Sequence, residues 1–431
     1  MKYGVDEHED GEIRSDTSDS IGQLGFFKRT FRSFNNPTFR LYYGALLGQM
    51  AAMNMQMVAR SYLVYHLTGS PVILGLLTLA ATIPMLILSL FGGIIADRVH
   101  KKYVMLIGQA SSAVVSLGVA LTLTLGYLSP EHADSWWILI LAAVLQGIIM
   151  GLMMPSRQAF LPEIVGGKQL MNAISLNVMA MNTLRLLAPA AAGFLIDAFD
   201  FQAVYYAMTG MYLMAVVFVA FLPLTRTLTS HGTNALTDIK EGINYIRHET
   251  NILLVLVFTL FAVILSMPYM MLLPVFAVDI LNVGATGMGI LVSVSGVGAI
   301  IGSIILASLP NKKRGLMLLA GGLLLGLALT GFSFSSSWYL SLGLIAIVGL
   351  GQTTRMSLSN TLVQYYVEDK YRGRVMSIYM MEFGLMGIGV FGAGLLAEAI
   401  GIQWAVGGFA MVLAFVSILA LVFLPRIRKL D

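Results

Sequence analysis

Cysteine is absent from the 431 residues, which excludes disulfides and thiolate metal sites. Charge is almost as scarce: 11% of residues are Asp, Glu, Lys or Arg, against about 25% in a soluble domain. So few charges cannot cover a water-facing surface. The six histidines form no cluster, and no cofactor or metal is expected. No Gly, four residues, Gly-Lys-Ser/Thr pattern occurs, so nucleotide hydrolysis is not the expected energy source and an enzyme is not expected. A cleavable signal peptide is not expected either, because residues 1–35 contain no apolar core. The stretch "MKYGVDEHEDGEIRSDTSDSIGQ" reads as a disordered cytoplasmic tail, 1–36.

Long apolar runs fill the rest, with 57% of residues hydrophobic. About 20 mostly apolar residues span a bilayer as a helix, and a backbone in lipid must satisfy its own hydrogen bonds as a helix or a closed barrel. Barrel strands alternate apolar and polar residues; "GLLTLAATIPMLILSLFGGIIA" does not. The expected fold is all-α integral membrane. Spans are expected at 40–66, 72–96, 104–127, 135–162, 169–197 and 202–223, then at 251–281, 286–309, 315–334, 337–367, 371–399 and 402–425. That gives a six-helix half over 37–223, a central cytoplasmic loop with a short helix at 224–250, a second half over 251–425 and a tail at 426–431.

Basic residues test this count. With both termini inside, 22 of the 26 Lys and Arg residues fall on cytoplasmic segments and the six outer loops hold none. This is the positive-inside pattern of a cell (inner) membrane protein. The net charge of +4 therefore reflects topology, and no nucleic-acid partner is expected. The halves also resemble one another: "SRQAFLPEIVGGKQLMNAIS" parallels "SNTLVQYYVEDKYRGRVMSIY" about 203 residues later. Two parallel repeats around a polar mid-section point to a transporter with a midplane site, expected to act as a monomer on a small-molecule substrate.

Four arginines and one glutamate lie inside spans, where a charge costs roughly 2.5–3.5 kcal/mol on insertion scales. Glu382 lies about 17 Å from the inner end of its span at 1.5 Å per residue. A buried carboxyl there can trade a proton against a cationic ligand, or it can pair with a buried arginine; both readings stand. Arg185 and Arg355 can bind an anionic substrate or pair with Glu382. Arg60 can line an outer vestibule or snorkel outward, and Arg157 can snorkel inward. Gln49, Asn54 and Gln56 in span one, with Asn177 and Asn182 in span five, can bond a ligand or another helix. Asp197, Asp279 and Glu398 fall at outer helix ends, where solvent accounts for them. Methionine-rich stretches such as "MAAMNMQM" suit packing first and a promiscuous site second.

The stretch "FGGIIADRVHKKYVM" (91–105) interrupts two apolar runs with charges. It resembles motif A of the major facilitator superfamily, matched by Gly93, Asp97, Arg98, Lys101 and Lys102, with His100 in place of the usual glycine. The resemblance implies a gating hairpin in which Asp97 faces the start of span eleven, and an acid near a helix N-terminus is stabilised there. "FRLYYGALLGQM", "YHLTGSPVILGL", "PSRQAFLPEIV", "NTLRLLAPAAAGFLID" and "RGRVMSIY" are similar to the branch holding the enterobactin exporter, the Tap-type multidrug efflux proteins and the macrolide efflux proteins. That branch implies export, and protons are the expected coupling ion. Pro189 and Gly193 match the core of the family's antiporter motif C, where a helix bends. The arginine of its proton-linked motif B is missing at "ILAAVLQGIIMG". The expected function is therefore a proton-coupled exporter of amphipathic organic compounds such as drugs or a siderophore. The alternatives are an importer or facilitator of a polar or anionic metabolite, and a non-transporting receptor.

Overall fold

The structure is a computed structural model that describes residues 31–129, 131–165, 167–224, 235–310 and 312–431, excepting the side chains of 90–98, 133, 167–168, 235–239 and 383. It is helical: α1 Pro37–Thr68, α2 Pro71–Arg98, α3 Lys101–Thr124, α4 Trp137–Val165, α5 Gly167–Ala220, α6 Ala235–His248, α7 Thr250–Ser266, α8 Gly284–Ser308, α9 Arg314–Phe334, α10 Trp338–Tyr366, α11 Arg372–Ile400 and α12 Ile402–Phe423. Nine helices among the described residues are long and apolar enough to cross a membrane. α1 and α10, with 32 and 29 residues, are as long but carry more polar side chains. α5 is two rods in one: Asp200, at φ 71°, is non-helical and divides its 54 residues near the break expected between 197 and 202.

Local chemistry sets the helix ends. Asn36 accepts hydrogen bonds from the N–H groups of Thr38 (2.9 Å) and Phe39 (3.4 Å), and Pro37 follows at the first helical position. Both are favoured where a helix has unpaired N–H groups. α1 stops at Gly69, whose φ of 60° a side chain would resist. The seventh expected span, 251–281, is regular only to Ser266; short helical turns follow at Pro268–Met271 and Leu273–Val275, then a wider turn at Phe276–Ile280. Pro268 and Pro274 cannot donate backbone hydrogen bonds, so the single rod is interrupted there. Residues 32–35, within the expected tail, form a helical turn pinned by Ser33 Oγ donating to Asn172 Oδ1 at 2.7 Å. Residues 1–30 and 225–234 lie outside the described residues.

Helices before α6 form an N-terminal set and those after it a C-terminal set. Within the first, α2 packs on α4 and α3 on α5; within the second, α8 packs on α10 and α9 on α12. Small residues permit these contacts. A Cβ on Gly147 would lie 2.1 Å from the Ala81 carbonyl oxygen, and one on Gly349 would lie 1.9 Å from that of Ser295. The sets meet through α5 with α8 and α2 with α11. α6 docks on the C-terminal set: Arg374 pairs with Glu241 at 2.6 Å and Tyr245 stacks on Tyr371 at 4.3 Å. The start of α1 and the end of α12 lie at one end of the bundle, here called the terminal end; the opposite one is the far end.

Candidate functional site

α10 and α11 run antiparallel, and the hydroxyls of Ser359 and Tyr379 meet between them at 2.9 Å. One turn further toward the far end on each helix sit Arg355 and Glu382. Arg355 is 11 residues from the end of α10 and Glu382 is 10 from the start of α11, or about 15–17 Å from the terminal end at 1.5 Å per residue. That is mid-depth in a hydrocarbon core about 30 Å thick. Arg355 is wholly buried and Glu382 is 5% exposed. Their charges attract each other, yet all three guanidinium nitrogens and Glu382 Oε2 lack a hydrogen-bond partner. An unpartnered buried charge costs several kcal/mol, so an arrangement of this kind calls for a proton, a water or a ligand to complete it. The pairing left open from the sequence is thus one of proximity, without a closed ion pair in this state.

The other polar residues do not converge on that pair. Gln56 accepts from the Tyr212 hydroxyl at 3.2 Å, and Gln146 donates to Ser112 Oγ at 3.4 Å. Arg60 lies beside Tyr205 and Tyr212 within the N-terminal set. Asn54 donates to the Met50 carbonyl of its own helix at 2.8 Å, so its amide is tied to backbone. Asn182 is exposed on α5, and Arg185 is half-buried within Coulombic reach of Tyr269 in the interrupted segment after α7. Gln352 bridges that interruption, accepting from Ser266 Oγ and donating to Met267 sulfur, each at 3.4 Å. Gln109 is buried with both amide atoms unpartnered. Gln109 and Gln352 were legible as polar residues in apolar spans. Tyr205, Tyr212 and Tyr379 were not, because tyrosine is ordinary near membrane interfaces.

At the hairpin of the opening motif, α2 continues to Arg98 and α3 begins at Lys101, leaving two residues between them. The side chains of Asp97 and Arg98, with Gly93 beside them, lie outside those described. Lys101 is 4% exposed and pairs with Glu163 of α4 at 2.6 Å, inside its own set, while Lys102 is half-buried. Stranding one member of a buried pair is costly. Glu163→Leu, which strands the more buried Lys101, is therefore expected to lower the unfolding temperature in detergent more than Lys101→Met, which strands the partly exposed Glu163, as read by nanoscale fluorimetry.

Pro189 and Gly193, expected to bend a helix, lie inside a continuous rod and form its contact with α8. A Cβ on Gly193 would lie 2.2 Å from the Ala285 carbonyl oxygen, and one on Gly289 would lie 2.4 Å from that of Pro189. At Gly296, toward the terminal end, the nearest α5 atom is 3.7 Å away. α5 and α8 thus approach each other most closely at the far end. The three acids assigned to solvent are exposed, and each also accepts a hydrogen bond. Asp197 accepts from the N–H groups of Ala285 and Thr286, Asp279 from the Tyr65 hydroxyl, and Glu398 from Ser70 Oγ. Each bond joins one set to the other at the far end.

Residues 28–431 match the family described as transmembrane secretion effector. The staphyloferrin A transporter of Staphylococcus aureus is 25% identical over 371 residues, covering 86% of this chain and 90% of that protein. Macrolide efflux protein A of Streptococcus pyogenes is 22% identical over 405 residues, covering 90% and 97%. The crystal structure of a D-xylose-proton symporter shares the fold, with a TM-score of 0.72 at 12% identity over 91% of this chain and 99% of that one. The chain belongs to the transmembrane secretion effector family of major facilitator superfamily transporters.

Proposed function

We propose that the protein is a secondary active exporter of amphipathic organic compounds, drug-like molecules or a siderophore, driven by proton antiport. In this reading α5 supplies two crossings, α1 and α10 cross as well, and twelve spans form two six-helix halves with both termini cytoplasmic. The close approaches at Gly147 and Gly349, 202 positions apart, support the repeat. The relatives that carry macrolide efflux and staphyloferrin transport in their names support the substrate class.

The observation that carries the proposal is the buried Arg355–Glu382 pair with polar atoms unspent. When Glu382 holds a proton it is neutral and tolerates burial; when it loses the proton, Arg355 supplies counter-charge. A cationic substrate group seated on other side chains of the same central site favours the ionised carboxylate, so binding of the substrate releases the proton. Competition at one site, alternately open to either side, is antiport. The far-end contacts support a state whose central space faces the cytoplasm, where an exporter loads.

A second reading, import of an anionic metabolite, has one observation in its favour: the three unpartnered nitrogens of Arg355. Proteoliposomes carrying an imposed pH gradient separate the two. Macrolides, cationic dyes or catecholate siderophores moving against the proton gradient support export. Accumulation of small carboxylates with the proton supports the second reading. Transport insensitive to the pH gradient for every compound would sink proton coupling in both.

A further inference from the structure

The contact between Asp197 and α8 is made by one of the acids that the sequence left to solvent. Gly193 and Asp197 are four residues apart and share a face of α5. Gly193 lets that face approach the start of α8, and Asp197, one turn on, reaches its first N–H groups. Oδ2 accepts from Thr286 N–H at 2.7 Å and Oδ1 from Ala285 N–H at 3.3 Å. Gly284, at φ 65°, turns the chain into the helix immediately before them. A carboxylate here gains charge-assisted hydrogen bonds and the favourable end of the helix dipole together. Two further links join the sets at the far end. Ser70 Oγ donates to Glu398 at 3.4 Å on an exposed surface, and Tyr65 donates to Asp279 through one hydroxyl.

We infer that Asp197 is the latch that holds the far end of the transporter shut, and that releasing it from α8 is the step that opens that face. A latch of this kind sits at the end opposite the α2–α3 hairpin. The inference rests on the alternating-access reading above, but it concerns which residue biases the two states and is independent of substrate and coupling ion. Gly193 then has a function beyond packing: any side chain there would push α5 off α8 and lift Asp197 from its donors. Ser293 Oγ, which donates to the Leu186 carbonyl two turns below, extends the same seam.

The absence of cysteine makes the test direct, since spin labels can be placed on the natural chain. One pair, Glu131→Cys with Ser336→Cys, spans the far end; another, Met171→Cys with Lys312→Cys, spans the terminal end. Pulsed electron resonance reads both distances without substrate or gradient. Asp197→Ala is expected to raise the far-end-open population about fivefold, the factor a typical helix cap is worth, while the terminal-end distance shortens. Asp197→Asn, an equally good neutral cap, shifts it less. Thr286→Pro removes the shorter donor and leaves the carboxylate, at a first-turn position where proline is tolerated; it is expected to reproduce the Ala shift. Distance distributions of Asp197→Ala and Thr286→Pro that superimpose on the parent would overturn the latch. Failure of every transport assay alongside an intact shift would instead overturn the proton-antiport reading and leave the latch standing.

Discussion

Glu382→Gln abolishes pH-gradient-driven efflux from proteoliposomes and leaves substrate exchange at equal pH in place: that is the expected result if the carboxyl carries the coupling proton. Glutamine keeps the shape and one acceptor but cannot take up or release a proton. The side chain is 5% exposed at mid-depth, where no bulk water can substitute for the missing group. Loss of exchange together with efflux would show that Glu382 serves structure or binding and would sink the coupling assignment. Arg355 sharpens the test. Arg355→Met strands the carboxylate without its counter-charge, and removal of one member of a buried pair typically costs about 3–5 kcal/mol. The single variant is therefore expected to lose thermal stability. Arg355→Met combined with Glu382→Gln, which buries no charge, is expected to recover most of that stability and none of the coupling. Two side chains that were independent would show additive losses in both readouts.

The second large effect is on folding. Gly349→Val is expected to reduce monodisperse, detergent-solubilised protein to background, because its Cβ would sit 1.9 Å from the Ser295 carbonyl oxygen. The obstacle is backbone, so no side-chain rotamer relieves it and α8 must move away from α10. Overpacking in a soluble core costs about 1–3 kcal/mol. Here the displaced contact runs along two long helices that have no hydrophobic driving force to bring them back together in lipid. Gly343 lies on the same helix with nothing within 4 Å of a built Cβ, so Gly343→Val is expected to behave as the parent. Equal yields from the two variants, measured by fluorescence-detected size exclusion, would mean that the α8–α10 approach is not a folding requirement.

How much was legible in advance depends on the kind of interaction. Helix positions followed from apolar run length, while the caps at Asn36, Pro37 and Gly69 and the breaks at Pro268 and Pro274 are local signals that the run-length reading passed over. The polar and charged residues of the spans were legible as exceptions: in an apolar run each stands out and each carries a cost. The rotation of each helix about its own axis was not. A soluble helix shows its buried face as an apolar stripe, but a helix in lipid is apolar all round, and nothing in the run tells lipid from partner. Hence the sequence could present Arg355 and Glu382 as candidates but could not set them one turn beyond the Ser359–Tyr379 contact. It could not foresee Lys101 pairing with Glu163, or Asn54 spent on its own helix.

The sequence by itself determined that this chain is a bundle of membrane-crossing helices with basic residues gathered at one end, because composition, run length and charge placement act residue by residue. Only the tertiary structure decided which helices touch, that α5 meets the start of α8 through Gly193 and Asp197, and that a buried cation and a buried acid lie near each other with donors and acceptors unspent. Those outcomes depend on helix rotation and register, which in lipid are set by the fit of small residues against backbone and not by any pattern along a single helix.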